Sequence, residues 1–124
     1  MNEAKGAFEV KLEPQNDEAA PAGRMLINKT YSGEMVGTGI GQMISKRMAS
    51  GTAAYYAVEE FSGKLANKTG SFTLLHEGFM DSSSQSLKIT IMSGSGTEEF
   101  ATISGSLEII QQDDKHHYEL SYTL

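Results

Sequence analysis

The chain has 124 residues, of which 39% are hydrophobic, so it is long enough for one domain with its own core and needs no structural metal. It contains no cysteine, which excludes thiol catalysis, thiolate metal sites and disulfide bonds. Its formal charge is −6 and its lysine and arginine residues are scattered, which argues against a nucleic-acid partner.

The amino-terminal segment MNEAKGAFEV has acidic residues where a secretory signal would have basic residues followed by apolar ones. No stretch approaches the ~18 consecutive apolar residues that a transmembrane helix needs. These two observations predict a cytoplasmic protein that has no membrane partner.

Polar and apolar side chains alternate along most of the chain, which is the pattern of half-buried strands. The predicted strands span residues 7–13, 24–32, 34–47, 52–65, 69–80, 86–93, 106–112 and 116–124. A polar segment with both prolines follows the first strand, and short turns rich in Gly, Asn, Asp and Ser separate most of the others. One short turn of helix is predicted at 97–101.

Eight strands without a sustained helical period indicate an all-β fold in which consecutive strands run antiparallel. We expect them to close into an eight-stranded up-and-down barrel, because closure removes the exposed edges of an open sheet. Such a barrel is filled by side chains or holds one small ligand. The alternative is a sandwich of two packed sheets.

The stretch MVGTGIGQMI, residues 35–44, has glycines at every second position. A dinucleotide site needs GxGxxG between a strand and a helix, but no helix pattern follows here and Gln42 replaces the third glycine. Spacing by two places Gly37, Gly39 and Gly41 on one face of a strand. This stripe predicts either a sharp bend or the close approach of another chain segment or ligand.

Three segments carry a family resemblance: NKTYSGEMVGTGIG (28–41), FSGKLANKTGSFTLLHEGF (61–79) and SGSGTEEFATISGSLEI (93–109). Their YSG[DE] turn, GsFxLxHxG strand and GSGT loop resemble a family of small bacterial proteins of unknown function. That family is similar to the allene oxide cyclase type of barrel. The resemblance implies a closed eight-stranded barrel, often oligomeric, whose plant relatives enclose an oxidised fatty acid.

The catalytic residues of the plant cyclases do not carry over to this chain. Those enzymes are known for an interior glutamate and cysteine near the substrate. This chain has no cysteine, and the resemblance matches that glutamate to no position in it. The bacterial family has no assigned reaction.

One polar pair stands out on the fourth and fifth predicted strands. A two-residue turn at Asn67-Lys68 would pair Ala66 with Thr69 and place Glu59 directly opposite His76, within reach of a hydrogen bond. The same register would place Phe61 opposite Leu74 and Gly63 opposite Phe72, with Gly78 on the same face.

An acid and a histidine among aromatic residues are open to three interpretations: a core pair that satisfies itself, a pair that orients a ligand, or a general acid and base. The candidate catalytic residues are Glu59 and His76. The candidate ligand-binding residues are Glu59, Phe61, Phe72, Leu74, His76 and Gln42. Gln42, together with Thr38, would extend the polar patch from the third strand.

Two histidines, His116 and His117, lie near Asp113 and Asp114 at the last predicted turn and superficially suggest a metal site. Adjacent residues of a strand face opposite ways, so at most one of the two could join a common site. We therefore interpret this stretch as a solvated turn and expect neither a metal nor a cofactor.

Three functions remain open from the sequence. The first is a barrel that binds a small apolar or amphipathic molecule. The second is a homo-oligomeric structural or interaction module, because Tyr56, Val58, Leu75 and Phe79 share a face that needs cover. The third is an isomerase or cyclase that transfers a proton through Glu59 and His76.

Overall fold

The computed structural model describes residues 1–124 and contains eight strands that follow one another around a closed antiparallel barrel. Strands β1 to β8 span Asn2–Gln15, Gly23–Gly33, Met35–Arg47, Ala53–Leu65, Lys68–Met80, Gln85–Ile91, Ser104–Gln112 and Lys115–Thr123. A short 3-10 helix spans Glu98–Phe100. Each strand pairs with its neighbours in sequence, and β1 pairs with β8 to close the ring. The predicted all-β barrel is confirmed.

The first strand is longer than its alternating pattern predicts and includes Pro14. Its pairing with β8 ends at Phe8, whereas its pairing with β2 continues to Gln15. Pro14 therefore lies where β1 has a partner on one side only, which is where a strand tolerates a residue without an N–H group. The structure has no helix with the length and apolar character needed to span a bilayer.

The turn between β4 and β5 differs from the predicted one. Its central residues are Ala66 and Asn67, with φ of 52° and 65°, as in a type I′ turn, and Leu65 pairs with Lys68. The chain offers no Asn-Gly pair here. Either turn would therefore place one ordinary residue in the left-handed region, and local chemistry does not choose between them.

The β4–β5 register is consequently shifted by two residues, and the predicted direct pairing of Glu59 with His76 is wrong. Glu59 lies opposite Leu74, and His76 lies opposite Ala57. A shift of two keeps every side chain on its face of the sheet, so Glu59 and His76 still share the inner face.

Two further predicted pairs, Phe61 with Leu74 and Gly63 with Phe72, are also wrong. Phe61 pairs with Phe72, and Gly63 pairs with Gly70. The observed register brings the two phenylalanine rings to a centroid distance of 5.1 Å, which is a favourable aromatic contact.

The two ends of the barrel differ. The connection after β6 folds over one end, where Phe100 and Ile103 are buried in the core with Phe61 and Phe72. We call this the closed end. At the opposite end, the inward-facing side chains of Leu12 and Leu87 remain 49% and 42% exposed, so we call it the open end.

Candidate functional site

A fully buried carboxylate stands at the centre of the barrel interior. The side chain of Glu59 is 0% exposed. Its Oε1 accepts a hydrogen bond from Lys29 Nζ at 2.9 Å and lies 2.9 Å from His76 Nε2. Its Oε2 accepts a hydrogen bond from the Tyr31 hydroxyl. We call Lys29, Tyr31, Glu59 and His76 the ionic cluster.

Glycines on β3 make the ionic cluster possible. Strand β3 lies between β2, which carries Lys29 and Tyr31, and β4, which carries Glu59. Gly39 is the cross-strand partner of Lys29, and Gly41 is the partner of Glu59. A Cβ atom at position 39 would lie closer than 3.0 Å to both the Glu59 carboxylate and the Tyr31 ring. The glycines of β3 therefore allow the Glu59 side chain to cross this strand and reach Lys29 and Tyr31.

The ionic cluster keeps Glu59 charged. Burial raises the pKa of Glu59, but the hydrogen bonds from His76 and Tyr31 and the positive charge of Lys29 outweigh it and lower this pKa to about 2. Burial and the negative charge of Glu59 both raise the pKa of Tyr31. At neutral pH, Glu59 is therefore a carboxylate and Tyr31 a neutral hydroxyl.

The charge of Glu59 fixes how the neutral His76 ring is protonated. An ionised carboxylate only accepts hydrogen bonds, so Nε2 must carry the hydrogen, and Nδ1 of the neutral ring then has a free lone pair. Nδ1 has no hydrogen-bond partner within the chain, and it is not sealed from solvent, because no buried side-chain nitrogen or oxygen lacks a partner.

Most of the solvent exposure within the ionic cluster belongs to Lys29 and His76. Lys29 is 7% exposed and His76 is 8% exposed. Both side chains point into the barrel, and Phe100 covers the closed end. A molecule at the open end would therefore meet Lys29 and His76 first.

Sequence reasoning missed Lys29 and Tyr31. The Nζ atom of Lys29 lies 4.6 Å from the centroid of the Phe8 ring, on which His116 stacks. The sequence did contain an indication of Lys29. Ile27, Lys29 and Tyr31 are spaced by two and therefore share one face of the strand, so a charged side chain lies within an otherwise apolar face.

The structure distributes the other predicted site residues differently. Phe61, Phe72 and Leu74 are completely buried on the inner face, within the packed core. Gln42 and Thr38 are exposed on the outer wall, because the glycine face of β3 points inward. The predicted extension of the polar patch to them is wrong.

The two adjacent histidines point to opposite faces of β8. His116 faces inward and stacks on Phe8 with a centroid distance of 5.1 Å, whereas its neighbour His117 faces outward. The structure contains no group of three or more His, Asp or Glu side chains placed to hold a metal ion.

The outer wall carries a second feature, a shallow groove of about 420 Å³ across β2 to β6. Exposed apolar side chains lie in and beside it, and we call them the outer patch: Ile40, Ile44, Tyr56, Val58, Leu75 and Phe79. The four residues that the sequence placed on a face in need of cover all belong to this patch.

The fold and the ionic cluster together define a small closed β-barrel with a charged interior and one open end. The sequence matches, over residues 4–122, the family described as "Protein of unknown function (DUF3224)", and the chain belongs to that family. The predicted membership in a family of unknown function is confirmed, whereas the similarity to the allene oxide cyclase barrel stays a prediction.

A solved structure supports this assignment. The crystal structure at 1.84 Å resolution of a DUF3224 protein of unknown function from Shewanella oneidensis MR-1 is 34% identical in sequence to this chain. The match covers 100% of this chain and 97% of that one, with a TM-score of 0.92. No protein with a curated description matches the chain.

Proposed function

We propose that this protein binds a small apolar or amphipathic molecule at the open end of its barrel, with the ionic cluster as the polar floor. The observation that carries the proposal is that the side chains of Lys29 and His76 remain 6% and 7% exposed inside a barrel whose other end is covered by Phe100.

The side chains between the ionic cluster and the open end are mostly apolar and suit an apolar ligand. The inward-facing side chains of Leu12 and Leu87 are about half exposed, and those of Met25 and Met43 are partly exposed. Covering such surface stabilises a complex by roughly 25 cal/mol per Å² of apolar area. Because Phe61, Phe72 and Leu74 are fully buried, we place the ligand above them rather than among them.

The floor supplies few but directional polar contacts. The ammonium of Lys29 has three hydrogens and a single hydrogen-bond partner, Glu59. The Nδ1 atom of His76 has no partner within the chain. A mostly apolar pocket with a small number of convergent polar groups is typical of small-molecule sites.

Native mass spectrometry of freshly purified protein tests for a carried-over ligand. A fluorescence titration with the fatty-acid analogue 11-(dansylamino)undecanoic acid then locates the site. Leu87 lines the open end and Leu75 lies on the outer wall, with 42% and 38% of each side chain exposed. We expect Leu87→Gln to weaken binding by about tenfold, since one exposed leucine contributes roughly 1–2 kcal/mol, and Leu75→Gln to leave it unchanged. The reverse result would assign the probe to the outer groove and contradict the proposal.

A second candidate function is a self-associating module, favoured by the outer patch. Tyr56 and Val58 are 58% and 57% exposed at its centre. The nearby charges of Glu60, Glu77 and Lys88 form no salt bridge within the chain. A surface that carries both signs around an apolar centre suits a symmetric contact with a second copy.

Sedimentation velocity tests the second candidate. We expect the wild type to associate at micromolar concentrations and Val58→Lys to stay monomeric, because the substitution places a charge at the centre of the patch. A wild-type protein that is monomeric throughout this range would rule out the module.

A further inference from the structure

We propose that the open-end site catalyses proton transfer at the carbon next to a ketone carbonyl of an apolar molecule, with His76 as the base and Lys29 as the donor to the carbonyl oxygen. This inference rests on the proposed function and names the substrate class and the reaction of the same site.

The case for a base begins with the orientation of the His76 ring. Glu59 holds Nε2–H, and the opposite nitrogen presents a lone pair that no group of the protein uses. This nitrogen is open to solvent, so a bound molecule can reach it. The carboxylate also stabilises the imidazolium that forms when Nδ1 takes up a proton.

The reaction also needs a hydrogen-bond donor for the carbonyl oxygen, and Lys29 is placed to supply it. Its Nζ and the Nε2 atom of His76 each lie 2.9 Å from the same oxygen of Glu59, so the ammonium and the imidazole ring that carries Nδ1 are held side by side by one carboxylate. A ketone oxygen and its neighbouring carbon are two bonds apart. One ketone group can therefore approach both residues at once.

The reaction needs no other reagent. The lone pair of His76 Nδ1 forms an N–H bond with a hydrogen of the α-carbon, and the released C–H electron pair becomes the carbon–carbon double bond of an enolate. The carbonyl π pair moves to oxygen, and the Lys29 ammonium stabilises its negative charge. The imidazolium then returns the proton to the same carbon or, in a β,γ-unsaturated ketone, to the γ-carbon, which gives the conjugated ketone. The outcome is exchange or isomerisation with no change in oxidation state.

Deuterium exchange into 2-decanone in D₂O, followed by proton NMR, tests the reaction. Saturation-transfer spectra of the same samples report binding separately. We expect the wild type to accelerate loss of the α-hydrogen signals at least tenfold over His76→Gln, because a positioned general base contributes about 10²–10⁴-fold. Gln retains an N–H donor for Glu59 but has no base. The outward-facing His117→Gln is the matched control and should exchange like the wild type.

The two readouts separate the two proposals. Binding without acceleration, or equal acceleration by His76→Gln, would overturn the catalytic inference and leave the binding function standing. Absence of binding to 2-decanone would contradict both. Long-range ¹H–¹⁵N spectra of the wild type give a test that needs no variant, because a neutral His76 protonated at Nδ1 would have its lone pair at Nε2, against Glu59, and this would overturn the catalytic inference.

Discussion

The carboxylate of Glu59 occupies the space that a side chain at position 39 would enter, so Gly39 and Glu59 depend on each other. Glu59 reaches Lys29 by crossing β3 at the point where that strand has no side chain. The composition of β3 therefore decides whether the ionic cluster can form.

Gly39→Ala tests this dependence. The added methyl group would push against the Glu59 carboxylate and the Tyr31 ring, and we expect it to lower the free energy of unfolding by about 1–3 kcal/mol. Guanidinium chloride denaturation measures the change. Gly23→Ala is the control, because its Cβ would meet the nearest atoms of Ser45 at 3.8 and 3.9 Å, which is ordinary contact. Equal stability of the two variants would contradict the prediction.

Glu59→Gln removes the counter-charge of a nearly buried ammonium. We expect a loss of about 3–5 kcal/mol of unfolding free energy, because Lys29 is then left buried without a partner. The exposed neighbour gives the control, since Glu60→Gln should change stability by no more than about 0.5 kcal/mol. The double variant Lys29→Met/Glu59→Gln should recover part of the loss, and a further loss would argue against a paired charge.

The pH dependence of stability follows from the ionisation of Glu59. Its pKa is about 2 in the folded protein against an ordinary value of 4.5. The ionised carboxylate therefore contributes stability that is fully present above about pH 4.5 and is lost as the pH falls toward 2. Urea denaturation between pH 7 and pH 2 should show a steeper decline for the wild type than for Glu59→Gln. Parallel curves would mean that Glu59 does not titrate in this way.

Tyr118 links β8 to the turn between β2 and β3. Its hydroxyl accepts the N–H of Met35 at 2.8 Å and donates to the carbonyl of Ser32 at 2.8 Å. Tyr118→Phe leaves the Met35 N–H buried without a partner, and we expect a cost of about 1–3 kcal/mol by thermal or chemical denaturation. Tyr122→Phe is the control, because Tyr122 is also buried and its hydroxyl makes no hydrogen bond within the chain. A similar cost for both variants would assign the effect to packing.

The turn between β4 and β5 can be improved. Ala66 has a φ of 52°, and the left-handed region costs an ordinary residue about 1–2 kcal/mol, less for Asn. We expect Ala66→Asn to raise the unfolding free energy by up to about 1 kcal/mol. Ala101→Asn should bring no gain, because Ala101 has a φ of −54°. A gain at both positions would point to a cause other than backbone conformation.

The architecture was predictable because most strands show a period of two and most connections are short. A closed barrel has one inner and one outer face, so a period of two maps directly onto the observed layers. The position of the turn at Ala66-Asn67 was harder to predict, because this turn contains no glycine. The resulting register error of two residues did not change which side chains face inward.

The candidate site was predictable only in part. Glu59 and His76 were found because adjacent strands bring them to one face. Lys29 was missed because its contact with Glu59 crosses a whole strand and depends on side chains that are absent. Gln42 was misplaced because both faces of β3 carry apolar residues, so hydrophobicity alone does not identify the inner one.

Neighbouring strands of the barrel are paired over very different lengths. Strands β6 and β7 share two residue pairs, Ile89 with Leu107 and Thr90 with Ser106, whereas β3 and β4 are paired along their full length. Few ladder hydrogen bonds mean a low local free energy of opening, so amide hydrogens along this joint exchange with solvent first. The circumference of the barrel can therefore widen at one place without disturbing the strands that hold the ionic cluster. For the ligand that we propose at the open end, we therefore expect the size limit to depend on the compliance of this joint rather than on the resting diameter of the barrel.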